Sequence, residues 1–256
     1  MQNDWSSKQY TKFEEERTRP VRDLLAQVRH DGAKTAIDLG CGPGNSTEEL
    51  LRRFPDADIS GIDNSPDMIA AAKARLPALS FDIADLNNWQ GGARYDVILS
   101  NAVIQWLPNH DVLLPHFMSR LVPDGVLAIQ IPANLKEPVQ TLMRSVAAEG
   151  PWKDKLSKSE GRYDRYDANW YYSLLQGHAS KVDIWQTTYY HVLDGAAAIV
   201  EWFKGSGLRP FLGPLDEAER AEYLRLYEAE VAKAYPAMPD GKVLMAMPRL
   251  FIVATK

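Results

Sequence analysis

The sequence predicts a doubly wound α/β fold, in which a mainly parallel sheet carries helices on both faces. Short apolar runs alternate with helical patterns over residues 35–132, as in consecutive βαβ units. A glycine cluster stands between the first predicted strand and the helix that follows it. After residue 132 this alternation stops, and segments rich in aromatic and charged residues predict a cover over the C-terminal edge of the sheet.

Apolar and β-branched runs bounded by turn residues predict seven strands. The predicted strands are 35–39, 58–62, 79–83, 95–100, 126–131, 182–193 and 249–255. Ser65, Pro66 and Asp67 open a helix with a hydroxyl at the N-cap, proline at the first helical position and an acid in the first turn. The predicted helices are 9–29, 45–54, 66–76, 109–121, 196–204 and 215–235.

Length and composition limit the function classes. The 256 residues suit one domain, with a core at 30–132 and covering insertions at 133–180 and 195–245. A formal net charge of −5 disfavours nucleic acid as a partner, because phosphate binding needs a basic face. A single cysteine excludes an internal disulfide, and no apolar leader or membrane-length apolar run is visible. We expect a cytoplasmic monomer or homodimer.

The strongest local signal is the run 36–47, where a strand leads into a glycine-rich turn and then a helix. Gly40, Gly42 and Gly44 permit positive φ angles and let a ligand lie against the backbone. Asp63 ends the next strand, where a carboxylate can accept hydrogen bonds from both hydroxyls of a ribose. The pattern therefore predicts a site for a nucleoside-containing cofactor.

A dinucleotide such as NAD or FAD is disfavoured by two details. The glycines follow G-x-G-x-G, not the G-x-G-x-x-G that packs a pyrophosphate against a helix N-terminus. Asp38, just before the turn, would repel a diphosphate but tolerate the ammonium and sulfonium of S-adenosylmethionine. Helix capping is the alternative role for Asp38 and Asp63, and Cys41 is expected to pack in the turn rather than act as a nucleophile.

These residues resemble the class I S-adenosylmethionine-dependent methyltransferases, whose seven-stranded sheet is Rossmann-like. Four segments in order carry the resemblance: 38–44, Asp63, 84–86 and 100–102. It implies that Asp63 binds the ribose, that Asp85 and Leu86 hold the adenine, and that Asn101 lies near the methionine moiety. The full predicted cofactor set is Asp38, Gly40, Cys41, Gly42, Gly44, Asn45, Asp63, Asn64, Asp85, Leu86, Asn101 and Ala102, with Tyr10 and Arg19 as contacts to the methionine carboxylate.

A narrower resemblance extends from about Trp5 to the C-terminus, with 150–180 its weakest part. Segments NAVIQWLP at 101–108, VDIWQTTYYH at 182–191, GLRP at 207–210 and PRLFIV at 248–253 resemble the trans-aconitate 2-methyltransferase group, as does ERTRP at 16–20. The resemblance implies methyl transfer from S-adenosylmethionine to a carboxylate oxygen of trans-aconitate. The products would be a monomethyl ester and S-adenosylhomocysteine.

The substrate would then be a small tricarboxylate. A carboxylic acid near pKa 4 is ionised at neutral pH, so the reaction needs alignment and desolvation rather than a general base. Carboxylates need fork-shaped cationic partners, and we predict Arg209 and Arg249. Trp106, Tyr189 and Tyr190 are predicted to donate hydrogen bonds or to wall the pocket. Core packing is the alternative for each aromatic residue, and a surface ion pair is the alternative for each arginine.

No catalytic side chain and no metal are expected. The histidines lack metal-ligand spacing, and His191 is expected to be structural; the five are His30, His110, His116, His178 and His191. Three alternative functions stay open. They are a methyltransferase for another small acid, a phenol or a ring carbon, a module that binds S-adenosylmethionine without catalysis, and a nicotinamide-dependent dehydrogenase.

Overall fold

The computed structural model describes residues 13–157, 159 and 166–256. Its strands are β1 (Thr35–Leu39), β2 (Asp58–Asp63), β3 (Ser80–Ile83), β4 (Tyr95–Asn101), β5 (Leu121–Pro132), β6 (Lys181–Leu193) and β7 (Val243–Thr255). They form a seven-stranded sheet with the order β3-β2-β1-β4-β5-β7-β6. The first five strands are parallel, and β7 is antiparallel to both β5 and β6. The predicted seven-stranded sheet is confirmed.

The helices connect and cover these strands. They are α1 (Glu14–Leu25), α2 (Asn45–Arg53), α3 (Pro66–Arg75), α4 (His110–Ser119), α5 (Pro138–Glu149), α6 (Lys153–Leu156), α7 (Ala168–Leu175), α8 (Gly195–Lys204), α9 (Arg209–Leu212) and α10 (Glu217–Ala234), with a 3-10 turn at Ile104–Trp106. The predicted start of α3 is confirmed, since Ser65 Oγ accepts a 3.3 Å hydrogen bond from the Met68 N–H. None of the helices in the described ranges is long and apolar enough to cross a membrane.

Successive residues of the central strands pack on opposite faces of the sheet. In β4, Val97 and Leu99 join the core formed with α1 and α2. Ile98, between them, joins the core formed with α4 and α7. Full burial of each such side chain contributes about 1.5–3 kcal/mol. The doubly wound arrangement is therefore confirmed, and it brings the loops after β1, β2 and β4 to one edge of the sheet.

A second core forms where α5, α8 and α10 pack on the N-terminal half of β7. It buries Met143, Phe203 and Tyr227 together with Met245 of the strand. The Tyr227 hydroxyl donates a 2.9 Å hydrogen bond to the carbonyl oxygen of Val139, so this buried polar group is satisfied. The helices before and after β6 are thus joined into one cover beside the sheet.

The structure differs from the predicted elements in several places. β5 begins at Leu121 rather than at residue 126, and α5 and α9 were not predicted. β7 begins at Val243 rather than at residue 249, because residues 243–248 pair with β6 and bury Met245 and Met247 in the second core. Residues 149–176, where no strand pattern was visible, contain α6 and α7. Asp167 caps α7 by accepting a 2.9 Å hydrogen bond from the Trp170 N–H. The cluster of aromatic residues there hid the helical period.

Candidate active site

A cavity of about 280 Å³ opens at the edge of the sheet where β1, β2 and β4 end. These strand ends contribute Gly40, Asp63 and Asn101 to its wall. Trp202 and Phe203 of α8 face them from the cover. Ligands bind at this edge in open α/β sheets, so the cavity lies where the fold predicts a site.

The glycine turn forms part of the floor. Gly40 has a φ of +74°, and a Cβ added there would lie 2.6 Å from Cγ1 of Val103. Gly42 has a φ of +54°, but an added Cβ would have no atom of the described residues within 4 Å. Gly40 is therefore required by packing and by conformation. Gly42 leaves an open strip of backbone on which a ligand fits.

Asp63 is held at the cavity by two backbone groups. One carboxylate oxygen accepts a 3.0 Å hydrogen bond from the Gly42 N–H, and the other accepts a 2.9 Å bond from the Ser65 N–H. Both the carboxylate and its neighbour Asn64 line the cavity. Because the side chain is oriented before any ligand binds, less conformational entropy is lost on binding.

Asp38 lies behind the turn rather than in it. Its carboxylate is fully buried and accepts hydrogen bonds of 2.6 Å from Ser46 Oγ and 2.8 Å from Thr47 Oγ1. Burial raises the pKa of the Asp38 carboxyl to about 6. The two hydrogen bonds act in the opposite direction and lower the pKa, whereas the negative charge of nearby Asp63 raises it. Among the residues described as lining the cavity Asp38 does not appear. These bonds anchor α2 to β1, but they do not cap the helix, because its N-cap is Gly44 and no side chain caps it.

Three more residues of the predicted cofactor set belong to the glycine turn or the start of α2 but are not among the residues described as lining the cavity. Cys41 is buried against Ile69 and Phe81, and burial raises the pKa of its thiol, as expected for a packing residue. Asn45 Nδ2 donates a 3.2 Å hydrogen bond to Thr18 Oγ1 on α1. Gly44 precedes α2 with a φ of +88°.

Four further cofactor candidates line the cavity from the loop after β3 and from the end of β4 and its loop: Asp85, Leu86, Asn101 and Ala102. The Asp85 carboxylate is fixed by a 2.9 Å hydrogen bond from the Asn87 N–H. Ala102 has a φ of +57°, which is unusual for a residue with a Cβ and marks a strained turn at the site. Its carbonyl oxygen accepts a 2.5 Å bond from Gln105 Nε2, which also lines the cavity.

His110 orients the turn that carries Trp106. One ring nitrogen lies 2.7 Å from the Ile104 carbonyl oxygen, and the other lies 2.9 Å from the Tyr171 hydroxyl of α7. Trp106 itself lines the cavity, as predicted for a wall residue. The histidine thus acts as a structural link between the cavity wall and the covering helix α7.

The predicted substrate residues divide into two groups. Arg249, only 6% exposed, lines the cavity where the pairing of β7 with β5 ends. Arg209 begins α9 and is absent from the described lining. Tyr189 donates a 2.6 Å hydrogen bond to Asp23 of α1 and is absent from the residues described as lining the cavity. Tyr190, its neighbour on the strand, points to the opposite side and is 62% exposed.

Arg17 is a lining residue that the sequence interpretation missed. Arg19 was predicted instead, but it is exposed, and its guanidinium lies over the Tyr189 ring at 5.4 Å. Arg17 is 8% exposed and lines the cavity. The available signal was helical spacing, because Arg17 precedes the apolar residues Val21 and Leu24 by four and seven positions. Tyr10 lies outside the described residues.

His191 adjoins this cationic wall. Its ring packs 4.7 Å from that of Trp202, and burial lowers its pKa to about 4, helped by the positive charges of Arg249, Arg19 and Arg17. The imidazole is therefore neutral at physiological pH, as a structural histidine would be. In the ranges that the structure describes, no group of three or more His, Cys, Asp or Glu side chains could hold a metal ion.

Known proteins resemble both the sequence and the fold. A family model described as a methyltransferase domain matches residues 37–127. A trans-aconitate 2-methyltransferase of Rhodopseudomonas palustris (strain BisA53) is 50% identical over 254 residues, covering 99% of both chains. One from Yersinia pestis (strain Pestoides F) is 50% identical over 252 residues, covering 98% of both.

Two solved structures show the fold alone, because their sequence identity is low. The YcgJ protein of Bacillus subtilis has a TM-score of 0.62 at 9% identity, covering 93% of this chain and 98% of its own. A phosphoethanolamine N-methyltransferase of Haemonchus contortus, in complex with S-adenosylmethionine, has a TM-score of 0.54 at 15% identity, covering 92% of this chain and 52% of its own.

Proposed function

The chain belongs to the trans-aconitate 2-methyltransferase family, and from that premise we propose that it transfers the methyl group of S-adenosylmethionine to a carboxylate oxygen of trans-aconitate. The products are a monomethyl ester and S-adenosylhomocysteine. One observation supports this most strongly: a single cavity has carboxylates, Asp63 and Asp85, on one side and buried guanidiniums, Arg17 and Arg249, in its wall. The carboxylates suit the hydroxyls and amine of the cofactor, and the guanidiniums suit a polyanionic acceptor.

The strand order separates these two groups. Asp63 ends β2 and Asp85 follows β3, whereas Arg249 lies on β7. Four strand spacings of about 4.8 Å each separate β2 from β7. This distance leaves room for a nucleoside at one end of the site and an acceptor at the other, with Asn101 and Ala102 of β4 and its loop between them.

The residues at the β2 and β3 end fit S-adenosylmethionine. We assign the ribose hydroxyls to the Asp63 carboxylate and the adenine to Asp85 and Leu86. The open backbone strip at Gly42 accepts the adjoining part of the ligand without a clash. When bound, S-adenosylmethionine supplies a methyl group made electrophilic by the sulfonium.

The chain's own task at the reacting centre is alignment and removal of water. The substrate carboxylate attacks as the anion, the new O–C bond forms as the C–S bond breaks, and the bonding pair stays on sulfur, so no proton moves. Neutral groups, Asn101, Gln105 and Asn134, line this part of the cavity. Phe203 and Met247 add apolar surface that excludes water. Aligned and dehydrated pairs of this kind gain on the order of 7–11 kcal/mol.

We assign a non-reacting carboxylate to Arg249, whose guanidinium forms paired hydrogen bonds in the geometry a carboxylate offers. Trp106 walls the acceptor side. The described parts of residues 133–180, together with 195–245, serve as the cover that closes this side, since Asn134, Trp202 and Ser206 line the cavity from those segments.

The test is methyl transfer from isotopically labelled S-adenosylmethionine to trans-aconitate, cis-aconitate, citrate and isocitrate. We expect a strong preference for trans-aconitate and a product that base hydrolyses, as an ester must be. Transfer to none of the four acids, with S-adenosylhomocysteine still bound, would contradict the proposed acceptor.

A pH profile separates carboxylate methylation from methylation of a phenol or carbon. The acceptor carboxylate is ionised throughout pH 6–9, so kcat/KM should be level across that range. A tenfold fall per pH unit below pH 7 would indicate an essential base and contradict the mechanism.

A further inference from the structure

Gln130 of β5 is a buried polar residue that the proposed reaction has not yet used. It is 1% exposed, and neither the nitrogen nor the oxygen of its amide has a hydrogen-bond partner among the described residues. Unpaired polar atoms in a protein interior cost free energy, so a group of this kind calls for an explanation. Gln130 is not among the residues described as lining the cavity. Any effect of Gln130 on a ligand therefore passes through a neighbouring residue.

That neighbour is Asn101 on the adjacent strand, which is paired directly with Gln130 in the register of β4 and β5. Both side chains point to the face of the sheet that α1 covers, because they follow Leu99 and Ala128 of that core at a spacing of two residues. Neighbouring strands lie about 4.8 Å apart, a separation that two amide side chains can bridge with a hydrogen bond. The Ala102 N–H donates a 2.8 Å bond to the Gln130 carbonyl oxygen, which holds the two strands together up to the cavity wall.

Asn101 connects Gln130 to the cavity. It is 6% exposed and is one of the lining residues. Its amide oxygen is buried and has no partner within the described part of the chain. The amide nitrogen of Gln130 is a buried donor on the opposite strand, so a hydrogen bond between these two atoms satisfies both. With its oxygen held in this way, the Asn101 amide presents its nitrogen, which carries two donors, to the cavity.

We propose that Gln130 is a positioning residue that fixes the direction of the Asn101 amide, so that Asn101 donates a hydrogen bond to the carboxylate that receives the methyl group. This inference rests on the proposed function. The two amides are not bonded in the structure, and rotation of their side chains brings them together when the acceptor binds. Asn101 then holds the carboxylate oxygen that does not attack, and the other oxygen stays free to displace sulfur from the methyl carbon.

A neutral donor suits this position better than a cation. The acceptor carboxylate loses its negative charge as the methyl group arrives, so an ion pair with that carboxylate would weaken in the transition state. A hydrogen bond from an amide is kept, because the ester that forms still has a carbonyl oxygen to accept it. Since the carboxylate is most charged before the reaction, the bond from Asn101 contributes mainly to binding and orientation of the acceptor, which KM reports.

The variant Gln130→Met removes the amide and keeps an unbranched side chain of similar length. Its KM for trans-aconitate should rise by about 3- to 10-fold, the value of one net hydrogen bond, while kcat changes by less than about twofold. The dissociation constant for S-adenosylhomocysteine, measured by calorimetry, should stay within about twofold of wild type. The midpoint of urea unfolding should stay at or above that of wild type, because unpaired polar atoms leave the interior.

A double-mutant cycle tests whether Gln130 acts through Asn101. Asn101→Ala alone should raise KM by about 10- to 100-fold, since a hydrogen bond to a charged group is lost. Adding Gln130→Met to Asn101→Ala should change KM by less than about twofold further, because the amide that Gln130 directs is already gone. If Gln130→Met does not fold, Gln130→Leu carries the same cycle.

Gln140→Met is the matched control. Gln140 of α5 is 5% exposed, its amide nitrogen has no partner among the residues that the structure describes, and it is absent from the described lining. Removing this second buried amide should leave both KM and kcat unchanged.

The outcomes separate this inference from the proposed function. Additive effects of the two substitutions in the cycle would overturn the inference, as would an unchanged KM in Gln130→Met. Weaker binding of S-adenosylhomocysteine, or a loss confined to kcat, would also overturn it, because either result would place the amide at the cofactor or in the packing of the core. Failure of the wild-type enzyme to methylate trans-aconitate would instead contradict the proposed function, and the inference with it.

Discussion

The carboxylate of Asp63 accepts a hydrogen bond from the backbone N–H of Gly42 at 3.0 Å, which joins the end of β2 to the turn after β1. A second bond, from the Ser65 N–H at 2.9 Å, fixes the other carboxylate oxygen. The same carboxylate lines the cavity. The glycine turn therefore leaves space for the cofactor and also orients Asp63, the residue that we assign to the ribose of the cofactor.

Asp63→Ala should weaken S-adenosylhomocysteine binding by about 100-fold or more, because two charge-assisted hydrogen bonds to the ribose would be lost. Calorimetric titration measures this directly. Asp58→Ala is the matched control, since Asp58 begins the same strand at the exposed far end and should leave the affinity unchanged. A change of less than about threefold for Asp63→Ala would contradict the assignment.

Gly40→Ala should destabilise the fold by about 2–3 kcal/mol, since it combines a positive φ with a collision against Val103. Gly32→Ala, at a φ of +81° with no described atom within 4 Å of the added Cβ, should cost only about 1 kcal/mol. Urea unfolding compares the two.

Adding Val103→Ala to Gly40→Ala should recover part of the loss, because the clashing side chain is then removed. Strict additivity of the two substitutions would show that the collision is not the cause.

Tyr189→Phe distinguishes the structural role of Tyr189 from the predicted substrate contact. The hydroxyl donates to Asp23 at 2.6 Å, so its removal should lower the free energy of unfolding by about 1 kcal/mol. The KM for trans-aconitate should stay within about twofold of wild type. A tenfold rise in KM without loss of stability would favour the substrate contact after all.

His191 should make the protein sensitive to acid. Its pKa is about 4 in the folded state, below the ordinary value of 6.5, so the unfolded chain binds a proton more readily between these two pH values. Stability from this group is present above pH 6.5 and is lost as the pH falls towards 4. Between pH 7 and pH 5 the loss should be about 2 kcal/mol.

His191→Phe should abolish that loss, since the ring is kept and the titrating group is removed. Asp38, whose pKa is raised to about 6, acts in the opposite direction, because the folded state then binds the extra proton between pH 3.8 and 6. The variant should therefore keep or gain stability on acidification relative to wild type. Urea unfolding of the wild-type protein and of His191→Phe at pH 5 and pH 7 measures this difference. If the free energy of unfolding depends on pH identically in both proteins, His191 is not the source of the acid sensitivity.

The sequence was most informative where local chemistry repeats a known pattern. Strand periodicity predicted the sheet, and the glycine turn with Asp63 predicted the position of the cavity, because strand ends in a parallel sheet meet at one edge. Arg249 was predicted from its charge at the start of a strand, and it does line the cavity.

The acceptor side was harder to predict because distant segments build it. Tyr189 and Arg209 have suitable side chains, but their positions depend on how β6 and α9 pack, which no local pattern records. On α1 the choice between Arg17 and Arg19 depends on helical phase, since the two side chains lie about 200° apart around the axis. The phase is visible only relative to the buried residues Val21 and Leu24.

A crystal structure with S-adenosylhomocysteine and trans-aconitate both bound is the most direct test of the proposed division of the site. In that division, one end of the cavity binds the nucleoside of the cofactor and the other end binds the carboxylates of the acceptor. We expect the ribose hydroxyls on the Asp63 carboxylate and a non-reacting substrate carboxylate on Arg249, with the reacting carboxylate facing the cofactor sulfur. A structure in which the carboxylate of S-adenosylhomocysteine occupies Arg249, or in which trans-aconitate lies outside this cavity, would contradict the division of the site.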